Sequence, residues 1–228
     1  MCGRYYRRSD KQRIAEAFHL GQLPDDFVLP PDYNVAPTTF QPVVRASRHT
    51  GDRELELMRW GLVPFFAKSL SDFKGFSTIN ARAENIATTA TYREPFKKRR
   101  CLVPADGFYE WKKLDAKTKQ PYRYALRNGE PFAFAGLWDA WKDPANGQWL
   151  QSYCIITTDP NELTAQVHNR MPVILHPRDY DRWLSRNETP RPPLDLLRPY
   201  EADLMESHLA NKLVGDVRNN TAEMLNNA

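Results

Sequence analysis

The sequence predicts an α+β fold: a single domain of mainly antiparallel, curved and barrel-like β-sheet with flanking helices. Three observations carry that expectation. Short apolar runs separated by turn signals crowd the middle of the chain, from Cys101 to Thr158. Helix-compatible segments are short and lie to either side of that middle. No internal repeat, low-complexity tract or linker divides the 228 residues, and 41% hydrophobic with 12% aromatic residues is enough for one large core. One domain over 1–228 follows.

Taken in order, Gly3 to Arg7 reads as a short strand, and Ser9-Asp10-Lys11-Gln12 as a capping box that opens a helix through Phe18. Pro24, Pro30, Pro31 and Pro37 bracket a segment, containing Tyr33-Asn34-Val35-Ala36-Pro37, in which no regular element is expected to persist. Such a segment should wrap over the surface or line a site. Gln41 to Ala46 and Leu55 to Trp60 are strand-like around Thr50-Gly51-Asp52, a hairpin signal, and Gly61-Leu62-Val63-Pro64 stops the second strand. Phe76-Ser77-Thr78-Ile79 is a strand-like approach to a helix-compatible run from Ala81 to Thr91.

Cys101-Leu102-Val103-Pro104, Phe108 to Trp111, Pro121 to Leu126 and Pro131 to Trp138 read as strands, with a turn at Asn128-Gly129. Trp149 to Thr158 is the longest strand candidate. Asp159-Pro160 opens a helix through Val167, with proline at its first position and His168 at its end. Met171 to Leu175 reads as a strand, Pro177 to Trp183 as a helix, and Pro190 to Pro199 as a proline-punctuated connection before Leu204 to Val214.

The net charge of +4 favours a polyanionic partner without demanding one. Three cysteines, Cys2, Cys101 and Cys154, form no C-x-x-C pair and leave an odd count, which argues against a disulfide framework and against a cysteine zinc site. No metal or other cofactor is expected. A reducing compartment follows, and without an apolar h-region or a run approaching 18 apolar residues neither a signal peptide nor a membrane span is expected. The protein should be a soluble intracellular monomer, cytoplasmic in a bacterium or nuclear in a eukaryote.

The chemistry begins at Met1-Cys2-Gly3-Arg4. Removal of Met1 leaves a cysteine with a free α-amine, of ordinary pKa about 7.7–8.0, beside a thiol of about 8.5. An aldehyde condenses with such an amine to an imine, and the thiol then adds to the imine carbon to close a five-membered thiazolidine. The competing reading is an ordinary second residue in a frayed terminus.

Other polar residues stand where a core would be apolar. Asn80-Ala81-Arg82-Ala83-Glu84 should present Asn80 and Arg82 at a strand-to-helix junction, unless they are an N-cap and a surface ion pair. In Asp106-Gly107-Phe108-Tyr109-Glu110-Trp111, an inward Glu110 among aromatics has a raised pKa and suits acid or base work; outward, it is the polar member of an alternating strand. His168-Asn169-Arg170-Met171-Pro172 sets an imidazole and a guanidinium together, although a lone histidine is more often structural. Arg4, Arg82 and Arg170 would suit phosphate clamping. Trp60, Phe65 and Phe66 could stack on unpaired bases, with core packing the better reading for Trp60. Lys97-Lys98-Arg99-Arg100 reads as a solvated face or a peripheral phosphate contact, and Cys101 and Cys154 as packed core thiols.

Together, in this order, Met1-Cys2-Gly3-Arg4, Tyr33-Asn34-Val35-Ala36-Pro37, Trp60-Gly61-Leu62-Val63-Pro64, Asn80-Ala81-Arg82-Ala83-Glu84, Ala105-Asp106-Gly107-Phe108-Tyr109-Glu110-Trp111 and His168-Asn169-Arg170-Met171-Pro172 resemble the SOS response-associated peptidase (SRAP) family over nearly the whole chain. The resemblance implies a protein that recognises abasic sites in single-stranded DNA, or at single-strand/duplex junctions, and links its terminal cysteine to the opened deoxyribose as a thiazolidine, with possible lyase and autoproteolytic activity. It implies Cys2 as nucleophile, Asn80 as positioner of the amine or sugar, Glu110 as proton carrier and His168 as proton donor to the sugar oxygen. Arg4, Arg82 and Arg170 match positions near the DNA backbone; Phe65 and Phe66 match base-stacking positions, and Asn34 and Trp60 join this DNA-facing set. Val214-Gly215-Asp216-Val217-Arg218-Asn219 resembles the family's closing motif, with Asp216 where an amide or neutral side chain is expected.

Met-Cys-Gly also resembles class II glutamine amidotransferases, but their His-Arg-Gly-Pro-Asp stretch is absent. A thiol peptidase using Cys2, His168 and Glu110 is a second alternative. A non-catalytic reader of modified bases, needing the arginines and aromatics but not Cys2, is a third.

Overall fold

The computed structural model describes residues 2–73, 78–186 and 192–226. In chain order the elements are β1 (Tyr5–Arg7), α1 (Lys11–Ala17), β2 (Asp32–Val35), β3 (Phe40–Ala46), β4 (Arg53–Trp60), β5 (Asn80–Arg82), α2 (Ala90–Lys98), β6 (Arg100–Ala105), β7 (Gly107–Lys113), β8 (Lys119–Leu126), β9 (Phe132–Lys142), β10 (Trp149–Thr158), β11 (Met171–Pro172), β12 (Ile174–Leu175), α3 (Tyr180–Leu184) and β13 (Met205–Leu209). Short 3-10 turns fill several of the connections.

Strands β4, β3, β6, β9 and β10 pair in that order, and β10 then pairs back to β4, so five strands close into a ring. The closing seam, with Tyr153 of β10 opposite Trp60 of β4, is parallel, whereas the other ring pairings are antiparallel. A second, fully antiparallel sheet runs β13-β8-β7-β1-β2. The expected α+β architecture with curved, barrel-like sheet is what forms.

Period-2 alternation explains how the layers stack. Cys101, Val103, Phe134, Tyr153 and Ile155 pack into one cluster with Tyr5, Phe108 and Tyr124 of the second sheet. Their chain neighbours Leu102, Ala135, Cys154 and Ile156 turn the other way, against Ile14, Phe18, Phe96 and Trp183 of the helices. Strands covered on both faces need continuous apolar runs, which is the pattern seen in Cys101-Leu102-Val103-Pro104 and in Phe132 to Trp138. Cys101 and Cys154 are fully buried, free thiols, as read from the sequence. Among the described residues no helix is long and apolar enough to cross a membrane.

Several local expectations are corrected. The proline-bracketed segment does hold a strand, β2, because β1 supplies a partner for Tyr33 to Val35 that proline spacing does not reveal. The first helix is capped by Asp10, whose carboxylate accepts the Arg13 N–H at 2.9 Å, not by Ser9, whose hydroxyl is taken by Asp106 at 2.6 Å. No helix runs from Ala81 to Thr91: Asn80–Arg82 is a strand laid parallel on β10, and α2 starts at Ala90. The stretch after Asp159 forms only a 3-10 turn, Thr164–Gln166. There the Asn161 side chain accepts the Thr164 N–H at 2.9 Å and donates to the Tyr200 carbonyl at 2.8 Å, a local alternative to helix bonding. Phe76, Ser77, Pro190 and Arg191, parts of two predicted segments, lie outside the described residues.

Arg100 is not on a solvated face. It is buried, and its guanidinium donates to the carbonyls of Phe96 and Lys97 at the end of α2 and to Trp183 on α3. At Gly107 a Cβ would run into the Tyr6 ring and the Tyr124 carbonyl, so only glycine lets β1, β7 and β8 approach this closely.

Candidate active site at the amino terminus

The site is assembled by strand pairing. Antiparallel β1 and β7 set Tyr5 opposite Phe108, and the Tyr109 N–H donates to the Arg4 carbonyl at 3.0 Å. Traced back from Tyr5, the chain therefore runs beside β7 towards Glu110, and Cys2 ends fully buried in the core shared by ring and second sheet. Strand β5 comes from the other side. Its pairing with β10, Asn80 opposite Ile155, holds Asn80 so that its Nδ2 donates to the Cys2 carbonyl at 2.8 Å. The Asn80 backbone is fixed in turn by the Tyr92 hydroxyl, which donates to its carbonyl at 3.1 Å.

Asn80 is 7% exposed, and among the described residues its Oδ1 is a buried acceptor with no hydrogen-bond partner. A buried amide that uses one end on a backbone carbonyl and leaves the other open is costly unless something else binds there. Glu110, inward on β7 opposite Tyr122, is buried; desolvation raises its pKa above the ordinary carboxylate value. The Cys2 thiol leans on the Arg4 carbonyl at 3.9 Å, and its pKa is pushed up, first by burial and then by the charge of Glu110. Burial thus favours the protonated form of both groups.

His168 follows the 3-10 turn after β10 and is partly buried, which lowers its pKa. Its Nδ1 accepts the Arg170 N–H at 3.0 Å, so the neutral ring carries its proton on Nε2. The Arg170 guanidinium is clasped by both oxygens of Glu84, with Asp159 at 3.2 Å and the Thr157 carbonyl at 2.7 Å completing its contacts.

The remaining predicted residues divide. Arg82 is exposed at the end of β5. Phe65 and Phe66, 61% and 49% exposed, meet edge to face at 5.4 Å. Trp60 is a core residue whose indole N–H donates to the Ile79 carbonyl at 3.0 Å. Arg4 and Asn34 bind the end of the chain: Arg4 Nη1 donates to Asn34 Oδ1 at 2.7 Å and to the Val214 carbonyl at 2.8 Å, while Asn34 Nδ2 donates to the carbonyls of Asp216 and Asn219. Asp216 thus contributes a backbone carbonyl to this tie, and its carboxylate pairs with Arg218.

Sequence reading missed Asp139. Buried on β9, it accepts the Phe65 N–H at 3.1 Å and pairs with Arg99 at 3.2 Å, and so anchors the loop carrying the two exposed rings. The signal was present in Trp138-Asp139-Ala140-Trp141, a lone carboxylate inside an apolar strand.

The sequence model of the family described as SOS response associated peptidase (SRAP) matches residues 1–217. Abasic site processing protein YoqW of Bacillus subtilis is 41% identical over 226 residues, covering 99% of each chain. Abasic site processing protein HMCES of Gallus gallus is 34% identical over 223 residues, covering 86% of this chain and 66% of that one. A crystal structure of a protein from Bacteroides thetaiotaomicron has a TM-score of 0.87 at 26% identity, with 100% of both chains covered.

Proposed function

Because the chain belongs to the SOS response associated peptidase family, we propose that it processes abasic sites by joining Cys2 to the ring-opened deoxyribose in single-stranded DNA. The observation that carries this reading is the contact of Asn80 with the Cys2 carbonyl at 2.8 Å, which fixes the main chain of the one residue able to offer a vicinal amine and thiol.

Met1 is removed first, freeing the Cys2 α-amine. His168, with its proton on Nε2, donates to the sugar ring oxygen as the C1′–O4′ bond breaks, while the C1′ hydroxyl gives up its proton through water, which reprotonates the imidazole, and the aldehyde forms. The amine, held with an N–H towards Asn80 Oδ1, attacks the aldehyde carbon. The resulting carbinolamine loses water to give an imine, with Glu110 carrying protons. Sulfur then adds to the imine carbon while the thiol proton passes to Glu110, and nitrogen takes back the C=N electron pair and a proton. One water is lost overall. A thiol held protonated by burial suits this order, because the amine reacts first and the sulfur is called on only once an electrophile is beside it.

Exposed Arg82 meets the DNA backbone, and Phe65 and Phe66 offer faces to unpaired bases. Arg4 lies along the same strand while it braces the chain end.

The test is incubation of the Met1-free protein with an oligonucleotide bearing one abasic site, and in parallel with glutamine. A heat-stable protein–DNA adduct is expected, lost in Cys2→Ala and lost when a tag precedes Cys2, since an acylated amine cannot form the imine. Equal adduct from tagged and untagged protein refutes the proposal, and glutamine hydrolysis without adduct replaces it with the amidotransferase reading.

A further inference from the structure

The acid assigned to ring opening, His168, stands on a loop, and a loop histidine does not choose its own tautomer. The Arg170 N–H makes that choice by donating to Nδ1 at 3.0 Å. A backbone N–H can do so only if its residue is held, and Arg170 is held by its far end. Both oxygens of Glu84, 86 residues away in sequence, engage its two terminal nitrogens, the Thr157 carbonyl accepts at 2.7 Å, and Asp159 approaches at 3.2 Å. The Arg170 side chain is only 12% exposed within this clasp, and Glu84 is 51% exposed. Bidentate carboxylate–guanidinium pairing fixes orientation as well as distance.

The acceptors around Arg170 also bear on how it meets DNA. Two carboxylates and a carbonyl occupy its terminal nitrogens, so a phosphate must displace Glu84 before it can be gripped. The clasp is built for holding the loop. Glu84 is itself well placed for the task, because it follows β5, whose Asn80 holds Cys2: one short segment fixes the nucleophile at one end and, through Arg170, the acid at the other.

We propose that Glu84 is a positioning residue for the sugar-opening step, acting through Arg170 to keep the His168 proton on Nε2. The inference rests on the abasic-site reading above and extends it to a residue that touches neither sugar nor nucleophile.

The test uses the Met1-free protein and two substrates: the natural closed-ring abasic oligonucleotide, and an analogue carrying a permanently open aldehyde. Glu84→Gln keeps the size and removes the charge and the symmetric clasp. Capture of the closed sugar should slow by about 10-fold, the low end of the effect of removing an outer partner that orients a metal-bound histidine, while capture of the open aldehyde stays unchanged. Nitrogen NMR of the His168 ring should show a pure Nε2–H tautomer in the parent and a mixture in Glu84→Gln. Arg170→Lys, which keeps the charge but cannot make the fork, should reproduce both effects if Glu84→Gln folds poorly.

Equal slowing on the two substrates, or no slowing on either, overturns the inference, as does a ring that stays wholly Nε2–H in both variants. His168→Ala separates this failure from failure of the underlying reading. If His168→Ala discriminates between the substrates and Glu84→Gln does not, only the positioning role falls; if His168→Ala fails to discriminate, the acid assignment falls and takes the positioning role with it.

Discussion

Replacing Asn80 by alanine tests the site most directly, because stability and chemistry should part company. The substitution strands the Cys2 carbonyl, which loses its 2.8 Å donor inside the core. A buried acceptor left without a partner costs about 1–3 kcal/mol. The same substitution removes the Asn80 Oδ1, itself a buried acceptor with no partner among the described residues, and so relieves a penalty of similar size. The two terms largely offset, and what is left is the net worth of one hydrogen bond plus a small void, about 1–2 kcal/mol. In a domain of this size that lowers Tm by about 2–8 °C. Chemistry has no such offset. The Cys2 main chain loses its fixed register, and misplacing a reacting group by about 1 Å can cost about 100-fold. Thermal melting and single-turnover adduct formation, both on Met1-free protein, are the measurements. A rate within about 3-fold of the parent, well inside that 100-fold, would refute the reasoning; so would a Tm loss well beyond about 8 °C, since Asn80 would then be holding the fold more than the reaction.

Three further outcomes rest on the same geometry. Glu110→Gln should slow adduct formation by about 10²-fold or more and abolish the acid limb of the rate profile; that limb in the parent should lie above the ordinary glutamate range, because burial raises the Glu110 pKa. The sign for stability runs the other way: the folded state holds the Glu110 proton more tightly than the unfolded chain, so this stabilising contribution is full below the ordinary glutamate pKa and is lost as pH rises through the raised one, and Glu110→Gln should remove that decline in pH-dependent melting. Arg82→Ala should make the log–log salt dependence of affinity for an unreactive abasic analogue shallower by about 0.7, the share of one single-strand phosphate; an unchanged slope removes Arg82 from the interface. Capture from single-stranded DNA should exceed capture from continuous duplex by at least about 10-fold, because extruding the sugar from a duplex costs a few kcal/mol, and equal rates would overturn the single-strand preference.

How much of this could be read beforehand depended on the range of the interaction concerned. Trp149–Thr158 was legible because its part from Ser152 onward is buried on both faces and so reads as a dense run rich in aromatic and β-branched residues. The hairpin of β3 and β4 was legible from its turn, and the core roles of Cys101, Cys154 and Trp60 from the runs around them. β2 was not legible, since its partner β1 lies beyond a helix, and Asn80–Arg82 looked like a helix start because its partner β10 is 75 residues further on. For the proposed site, motif order singled out Cys2, Asn80, Glu110 and His168, but hydrogen bonds such as that from Asn80 to the Cys2 carbonyl could not be seen. Arginine and asparagine suit DNA contact by residue type; that Arg4 and Asn34 also grip the carbonyls of Val214, Asp216 and Asn219 is a fact of tertiary distance. The Glu84 clasp on Arg170 joins two motifs that sequence presents as separate.

The tie between Arg4 and Val214 bears on when the amino-terminal segment is braced during synthesis. The bond spans 210 positions, and the parallel seam of the ring joins Trp60 to Tyr153 across the middle of the chain. A ribosome delivers the cysteine first and the residues that brace it last, and contacts of such long separation form slowly. Until residues 214–219 have been made, Arg4 and Asn34 lack the carbonyls that they hold in the folded chain. Closure of the amino-terminal segment against that stretch is therefore a late event in folding.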